Sequence, residues 1–312
     1  VYGTIEEDAL RRDFTVNALY YNIADFSVVD YANGVQDLEH GILRLMGDPE
    51  IRYREDPVRM LRAARFAAKL GFVLDPATEA PIAELAGLLG EVPPARLFEE
   101  VLKLFMGGYG VASFEKLRHF GLFEQLFPAT EAALATEEEG FPHTMVLQGL
   151  QNTDARVRSG KPVTPAFLFA VLLWEPVRLR AREYEAQGMA PYAALQAASS
   201  DIIEHQLARV AIPRRFSTPM REIWALQPRF QHTKGKRPQR LFAHPRFRAA
   251  YDFLLLRAES GEADRELAQW WTDFQKQHAV PEPDARVEEQ RSRRRRRGGR
   301  RRRGPATGGK GE

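Results

Sequence analysis

Most of the chain after Gly47 carries apolar residues at the spacing of amphipathic helices. The segment between Pro57 and Gly71 shows this most clearly, because its apolar residues occupy one arc of a helical wheel and its basic residues the other. Asp56 and Pro57 form a typical helix start, and Gly71 is a typical stop. Similar patterns predict further helices near residues 94–105, 110–120, 164–174, 192–210, 220–226 and 246–259.

The residues up to Gly47 show a different pattern. Thr4 and Glu7 have the spacing of a capping box, which predicts a helix start. Residues 18–23 and 27–31 are rich in aromatic and β-branched side chains, with turn-forming residues between them that indicate a hairpin. The pattern therefore predicts an α+β fold that is mostly α, with a small β-containing segment before a helical majority.

Composition narrows the class of protein. The chain has no cysteine, which excludes disulfides, thiolate metal sites and a cysteine nucleophile. Its longest purely apolar run, residues 166–174, is too short to cross a bilayer. No charged-then-apolar leader opens the chain, so we expect a cytoplasmic protein with no membrane partner. Because residue 1 is Val1 and not methionine, we expect the sequence to be a fragment that lacks its N-terminal part.

The net charge of +3 conceals an uneven distribution. Twelve basic and three acidic residues lie from Arg286 onward, which leaves 33 basic and 39 acidic residues, a net charge of −6, before it. Residues 279–284, with two prolines, have the composition of a linker. We expect a disordered arginine-rich tail beyond the linker, since no apolar pattern accompanies the charge there.

Residues 11–19 form the first segment that could carry chemistry. Asp13 and Asn17 stand four residues apart, so on a helix they would share a face and hold a ligand hydroxyl or a metal ion together. An exposed, ion-paired turn would explain the same residues.

Residues 30–41 form a second such segment. Gly34 and Gly41 indicate tight turns, and Asp37 lies where its carboxylate would order the loop between them. An ordinary hairpin would explain the segment equally well.

Residues 54–62 are chemically more suggestive. Asp56 at a helix start and Arg59 one turn later can face the same space, where the carboxylate accepts hydrogen bonds and the guanidinium donates them. The pair complements a base edge with an amino donor beside a ring-nitrogen acceptor, which adenine and cytosine have and guanine and uracil lack. A helix cap with a surface ion pair is the alternative. A fourth segment, residues 93–102, is by itself an amphipathic core helix.

Taken together and in this order, the four segments resemble the superfamily of bacterial poly(A) polymerases and CCA-adding tRNA nucleotidyltransferases, class II. Residues 11–18 match its ribose-handling motif, Arg-Arg-Asp-Phe-Thr-x-Asn-Ala. Residues 55–62 match its base-reading motif, Glu-Asp-x-x-Arg-x-x-Arg, and the helix with Arg96 matches a further motif. The sequence outside these segments is similar to the bacterial poly(A) polymerase branch, so the resemblance covers nearly the whole chain.

The resemblance implies a polynucleotide adenylyltransferase, which adds AMP from ATP to RNA 3′ ends without a template in mRNA processing and decay. Two Mg²⁺ ions would activate the 3′ hydroxyl and neutralise the pyrophosphate leaving group. The family holds these ions with an Asp-x-Asp pair, and the 312 residues contain no Asp-x-Asp. Asp13 is therefore the one catalytic carboxylate and the one candidate metal ligand that the resemblance assigns, and we expect this chain alone to be inactive. The implied nucleotide-binding residues are Arg12, Asp13, Asn17, Glu55, Asp56, Arg59 and Arg62.

The resemblance also implies a domain order and partners. The remnant of a nucleotidyltransferase palm would occupy residues 1–47, a base-reading and RNA-binding helical neck 48–130, a helical RNA-binding body 131–278, and the linker and tail 279–312. RNA 3′ ends would be the main partner, and the basic C-terminal region would also bind RNA-decay or helicase proteins. The candidate RNA-binding residues are Arg65, Lys69, Lys234, Lys236, Arg237, Arg293, Arg294, Arg295, Arg296, Arg297, Arg300, Arg301, Arg302 and Arg303.

Two other functions stay open at this stage. A CCA-adding tRNA nucleotidyltransferase is the nearest, because Asp56 and Arg59 do not distinguish adenine from cytosine. A non-catalytic RNA-binding protein would follow if the natural product starts near Val1. The long basic tail favours poly(A) addition over CCA addition.

Overall fold

A computed structural model of the chain describes residues 4–135 and 143–278. Most of these residues are helical, which confirms the predicted α+β, mostly α fold. Thr4 caps the first helix and Glu7 completes the capping box, as predicted. The helices of the first range are α1 (Ile5–Arg11), α2 (Gly34–His40), α3 (Pro49–Glu55), α4 (Val58–Leu70), α5 (Pro76–Glu79), α6 (Ile82–Leu85), α7 (Pro94–Phe105), α8 (Gly110–His119), α9 (Leu122–Leu126) and α10 (Pro128–Ala135).

The helices of the second range are mostly longer, and one starts earlier than the sequence indicated. The helix predicted near residues 220–226 begins at Arg214. Pro219 lies inside this helix, although a proline usually marks a helix break, and the sequence pattern therefore predicted a start after the proline. In both described ranges, every helix is too short or too polar to span a membrane. The helices are α11 (His143–Arg158), α12 (Pro165–Leu172), α13 (Trp174–Ala186), α14 (Pro191–Leu207), α15 (Arg214–Leu226), α16 (Arg237–Phe242), α17 (Phe247–Glu259) and α18 (Arg265–His278).

The strands of the described residues are short and lie near the start of the chain. β1 (Leu19–Tyr21) and β2 (Val28–Asp30) form the predicted antiparallel hairpin, with the first residue of β1 opposite the last residue of β2. β3 (Ile42–Leu43) and β4 (Val73–Leu74) pair in parallel. The sequence pattern did not predict this second pair, because two residues are too few to show a strand periodicity.

Residues 30–41 contain the helix α2, which neither the predicted tight turns nor the alternative hairpin included. Asn33 adopts a left-handed conformation (φ 58°) just before the helix, and Gly41 (φ 65°) ends it. The Asp30 carboxylate accepts three backbone N–H bonds at the start of α2, from Ala32, Gly34 and Val35. Although burial favours the protonated form, these N–H groups hold the pKa of Asp30 below its ordinary value.

The core of the helical region is rich in phenylalanine. Phe98 of α7 stacks on Phe169 of α12 with 5.8 Å between ring centroids, and Phe114 meets Phe123 edge to face at 4.9 Å. The apolar face of α7 is buried, which confirms the core helix predicted from residues 93–102. This packing fixes the position of α7, which carries part of the candidate site.

The described residues group into two units. The first extends to Ala268, and the second begins at Gln269 with the end of α18. The predicted domain boundaries after residues 47 and 130 fall within the first unit and stay predictions. The predicted linker and basic tail, residues 279–312, lie outside the described residues.

Candidate active site

The loop after α1 carries the first motif and is held by backbone hydrogen bonds to the residues around β3. The Thr15 N–H donates to the Arg44 carbonyl at 3.1 Å, and the Met46 N–H donates to the Asp13 carbonyl at 2.8 Å. A three-residue 3₁₀ helix follows and ends at Asn17. Asp13 precedes this turn, so the two side chains do not share a face of one helix, and that prediction is wrong.

Asp37 was predicted to order a loop between Gly34 and Gly41, and that prediction is wrong, because it lies within α2 and instead holds the loop that carries Thr15. Its carboxylate accepts the Thr15 hydroxyl at 2.7 Å and the Arg44 guanidinium at 3.1 Å. Gly34 lies so close that a Cβ there would be 2.2 Å from the Thr15 carbonyl oxygen. Helix α2 therefore packs directly against the loop that carries Thr15. The backbones approach so closely that position 34 requires a glycine.

Asp13 lies between two arginines of α4. Its Oδ1 is 3.2 Å from Arg59 Nε, and its Oδ2 is 2.7 Å from Arg62 Nη2. The alternative interpretation was an exposed, ion-paired turn. The ion pair is present, but only 14% of the Asp13 side chain is accessible, so the predicted exposure is wrong. The carboxylate joins the ribose-motif loop to the helix of the base-reading motif.

Arg59 and Asp56, the predicted base-reading pair, are held by different partners. Arg59 Nη1 donates to the Arg52 carbonyl at 2.7 Å and to Glu55 Oε2 at 3.1 Å. Asp56 Oδ2 instead accepts from Arg96 Nη2 at 2.7 Å, while Oδ1 accepts the backbone N–H two residues later, which resembles a helix cap. Their shared role toward a base stays a prediction.

Two further residues of the ribose motif lie apart from the Asp13 cluster. Arg12 pairs with Asp8 at 2.8 Å, and its guanidinium lies 5.6 Å from the centroid of the Tyr20 ring. The Tyr20 hydroxyl, together with Arg12, holds the pKa of Asp8 below its ordinary value. The side-chain amide of Asn17 forms no hydrogen bond with the described part of the chain.

Arg52 is a site residue that the sequence did not indicate. Its Nη2 donates to the carbonyls of Arg11 and Arg12 at 3.3 and 3.2 Å, and its Nη1 donates to Glu55 at 3.0 Å. The only sequence signal for Arg52 is that it is a basic residue three positions before Glu55 of the base-reading motif. The contact of Arg96 with Asp56 was likewise not predicted, although Arg96 itself matched a motif.

The described residues do not by themselves form the predicted Mg²⁺ site. Within residues 4–135 and 143–278, no three histidine or acidic side chains cluster so that they could hold a metal ion. Asp13, the one predicted ligand, has an arginine on each carboxylate oxygen. No catalytic step is therefore assigned to a metal.

The predicted RNA-binding residues of α4 continue the basic side of the helix beyond Arg62. The Arg65 guanidinium lies 4.3 Å from the centroid of the Phe66 ring, and its buried Nε has no hydrogen-bond partner. Lys69 is exposed and has no carboxylate within 4 Å in the described ranges. Both cations therefore remain available to an anionic ligand.

The predicted RNA-binding residues of the helical body lie just before and at the start of α16. Lys234 and Lys236 are exposed and form no ion pair with described residues. Arg237 Nη1 lies 3.4 Å from His232 Nδ1. The candidate arginines between Arg293 and Arg303 lie outside the described residues.

Three protein-family models match the chain. Residues 1–44 match the poly A polymerase head domain. Residues 71–134 match the probable RNA- and SrmB-binding site of polymerase A, and residues 187–304 match the polymerase A arginine-rich C-terminus.

Curated relatives and solved structures agree with these matches. Poly(A) polymerase I of Salmonella typhi is 47% identical over 292 residues, which is 93% of this chain and 63% of that protein. The CCA-adding enzyme of Lactiplantibacillus plantarum is 40% identical over 144 residues, 46% of this chain and 34% of that protein. A solved tRNA-processing enzyme complex has a similar fold, with a TM-score of 0.62 at 22% identity over 92% of this chain and 72% of its own.

Proposed function

The chain belongs to the poly(A) polymerase and CCA-adding nucleotidyltransferase superfamily, and we propose that it acts in adding AMP from ATP to RNA 3′ ends without a template. One observation carries the choice of poly(A) over CCA addition. The similarity to a poly(A) polymerase extends over 93% of the chain, whereas that to a CCA-adding enzyme extends over 46%. The chain spans 63% of the length of that poly(A) polymerase, so the activity is a proposal for the whole protein.

The hydrogen bonds of Arg59 support its proposed role in reading adenine. Its Nε and Nη1 are occupied by Asp13, Glu55 and the Arg52 carbonyl, which fix the plane of the guanidinium. Its Nη2 forms no hydrogen bond with the described residues, so two N–H donors remain for the ring nitrogen of a base.

The Asp56 carboxylate supports the complementary role. Each of its oxygens accepts one hydrogen bond, from Arg96 and from the Val58 N–H, and each retains a second acceptor position. An exocyclic amino group of adenine or cytosine could donate there. Guanine and uracil present a carbonyl oxygen at that place, which the carboxylate would repel.

We propose that RNA is bound through its phosphates by Arg65 and Lys69 of α4, by the residues around Lys236, and by the arginine-rich tail. The contacts are electrostatic, so they would not select a sequence. ATP as substrate, Mg²⁺ as the metal, a role in mRNA processing and a cytoplasmic location belong to the same proposal. The match of residues 71–134 to a probable RNA- and SrmB-binding site supports RNA as a partner. RNA-decay or helicase proteins at the basic C-terminal region belong to the same proposal.

A nucleotide-addition assay with the protein as encoded by its gene tests the proposal. The protein is incubated with Mg²⁺ and either ATP or CTP, on an RNA oligonucleotide and on a transfer RNA that lacks its CCA end. Long tracts of A on both RNAs support poly(A) addition. Addition that stops at C-C-A on the transfer RNA alone supports the rival enzyme, and RNA binding without any addition supports the non-catalytic alternative. A preparation of Asp13→Ala serves as the control for contaminating polymerases.

A further inference from the structure

A cavity of about 560 Å³ lies between α11, the start of α12 and α17, away from the candidate active site. Side chains such as Met106, Phe167 and Leu256 form an apolar floor, and Arg156 and Lys161 lie on its rim. None of the lining residues belongs to a sequence motif described above. The lining residues of α11 and α12 lie between the stretches that the family models match, whereas Met106 and the residues of α17 lie within those stretches.

Two cations of the lining, Arg156 and Lys161, form no ion pair within 4 Å with a described carboxylate, although the lining also contains the carboxylates of Asp252 and Glu259. Arg156 donates through Nε and Nη2 to the Pro162 carbonyl at 3.2 and 2.9 Å, a contact that orients the guanidinium, and its charge acts at longer range on Asp252. Lys161 is exposed and has no carboxylate within 4 Å in the described ranges. Two such cations at one rim attract an anion, and an oriented arginine suits a phosphate in particular.

The other two arginines of the lining, Arg246 and Arg248, are already paired. Arg248 lies 3.0 Å from Asp252, and Arg246 lies 2.7 Å from Glu222. Burial raises the pKa of Asp252, although Arg248 and Arg156 act in the opposite direction. Asp252 therefore offers a hydrogen-bonding group that suits a hydroxyl or an amino group of a ligand.

The cavity thus combines in its lining two cations without an ion pair, apolar side chains and the polar group of Asp252. Its volume falls within the roughly 300–1,000 Å³ that small-molecule sites occupy. A nucleotide has the matching parts, namely a phosphate, a flat base and donors on the sugar and base. We propose that this cavity binds one nucleotide unit, with its phosphate at Arg156 and Lys161 and its base over the floor that includes Phe167. The unit would be either a nucleotide within an RNA chain or a free nucleotide, since both present the same chemistry.

Methyl NMR of the full chain distinguishes this cavity from the active site. The chain has six methionines, of which Met106 lines the cavity and Met46 donates its N–H to the Asp13 carbonyl. With ¹³C-methyl-labelled methionine, AMP, adenosine, inorganic phosphate and an oligo(A) RNA are titrated separately. We expect the Met106 signal to shift with AMP or with oligo(A), and to shift far less with adenosine. A shift with AMP assigns a free nucleotide to the cavity, and a shift with oligo(A) alone assigns an RNA nucleotide.

Two variants test the assignment of the residues. Lys161→Glu reverses an unpaired rim charge and should weaken the binding that Met106 reports about tenfold, the scale of one charge-assisted contact. Ala249→Trp fills the cavity without removing a polar contact and should abolish the Met106 shift. Arg182→Glu is the matched control, because Arg182 is an exposed, unpaired cation among the described residues and lies outside the cavity.

Three outcomes would overturn the proposal. The first is a Met106 signal that moves with neither AMP nor oligo(A). The second is a shift that persists unchanged in both Lys161→Glu and Ala249→Trp. The third is an equal response to adenosine and AMP, which would remove the phosphate from the site. None of these depends on catalysis, so the outcome is separate from that of the proposed polymerase activity.

Discussion

Arg96 on α7 donates to the carboxylate of Asp56 at the end of α3, with 2.7 Å between Nη2 and Oδ2. Half of the Arg96 side chain is accessible, against 23% of that of Asp56. A pair this exposed contributes about 0–1 kcal/mol to stability. Its main effect is therefore on orientation, since it holds one side of the Asp56 carboxylate in a fixed direction.

We predict that Arg96→Ala reduces the preference for ATP over GTP several-fold while the free energy of unfolding changes by less than about 1 kcal/mol. Loss of the contact frees the Asp56 side chain to rotate. Nucleotide competition and thermal unfolding measure the two effects. Arg54→Ala is the control, because Arg54 has a similarly exposed ion pair, with Glu50. An unchanged preference in Arg96→Ala would show that Arg96 does not orient Asp56.

Asp56→Ala and Arg59→Ala should each weaken the discrimination against GTP and UTP by about 1–3 kcal/mol, the scale of a good bidentate base contact. Each variant removes one half of the proposed acceptor and donor pair. The measurement is competition between the four nucleoside triphosphates in the addition assay. If both variants discriminate as well as the parent, the two residues are only a helix cap and an ion pair.

Asp13→Ala should lower turnover by about two orders of magnitude or more, the usual effect of losing a catalytic carboxylate. It should also lower the free energy of unfolding by roughly 2 kcal/mol, because Arg59 and Arg62 lose a partly buried partner. Turnover and denaturant unfolding are measured on the same preparation. Glu50→Ala, which removes an exposed carboxylate, should change neither. Near-normal turnover of Asp13→Ala would exclude a catalytic role.

Gly34→Ala should lower the free energy of unfolding by about 1–3 kcal/mol, the cost of overpacking. The new Cβ would lie 2.2 Å from the Thr15 carbonyl, so α2 and the ribose-motif loop must separate. Thermal unfolding measures the loss. Gly87→Ala is the control, because a Cβ at Gly87 meets nothing within 4 Å. Equal melting temperatures of the two variants would contradict the close approach.

Removing residues 291–312 should reduce the salt dependence of RNA binding. The segment holds ten arginines between Arg291 and Arg303, and each phosphate contact with single-stranded RNA contributes about −0.7 to the logarithmic salt slope. Engaging half of them contributes roughly −3 to −4. RNA affinity is measured across a salt series with and without the segment. Parallel lines would show that it does not contact RNA, and a protein partner would then be sought.

The sequence predicted elements whose signals are local. On α4, apolar and basic residues separate along the helix, so periodicity alone predicts which side is buried. Helix α2 could not be read in this way, because it is short and its start depends on the Asp30 carboxylate. The parallel pairing of β3 with β4 likewise depends on residues distant in sequence.

The same distinction holds for the candidate site. The motifs supplied the candidate site residues, and the contact partners of those residues could not be predicted from the sequence. Arg59 meets Asp13 from 46 residues away, and Arg96 meets Asp56 from 40 residues away. Spacing within a motif predicted that Arg59 and Asp56 act together on a base, and this stays a prediction. The fold adds a distant partner of opposite charge to each of them.

The Arg52 side chain gives the nucleotide site a property that neither motif has alone. One guanidinium bonds both the carbonyls of Arg11 and Arg12 and the carboxylate of Glu55. Under the proposed function, a sugar that displaces the loop would also displace Arg52 and Glu55 of α3, and Glu55 contacts Arg59 of the base-reading pair. A double-mutant cycle that varies the sugar contact and the base contact would then give a non-zero interaction energy. Under the proposed function, the sugar contact and the base contact would therefore be energetically coupled, and a poor fit of either part would weaken the binding of the whole nucleotide.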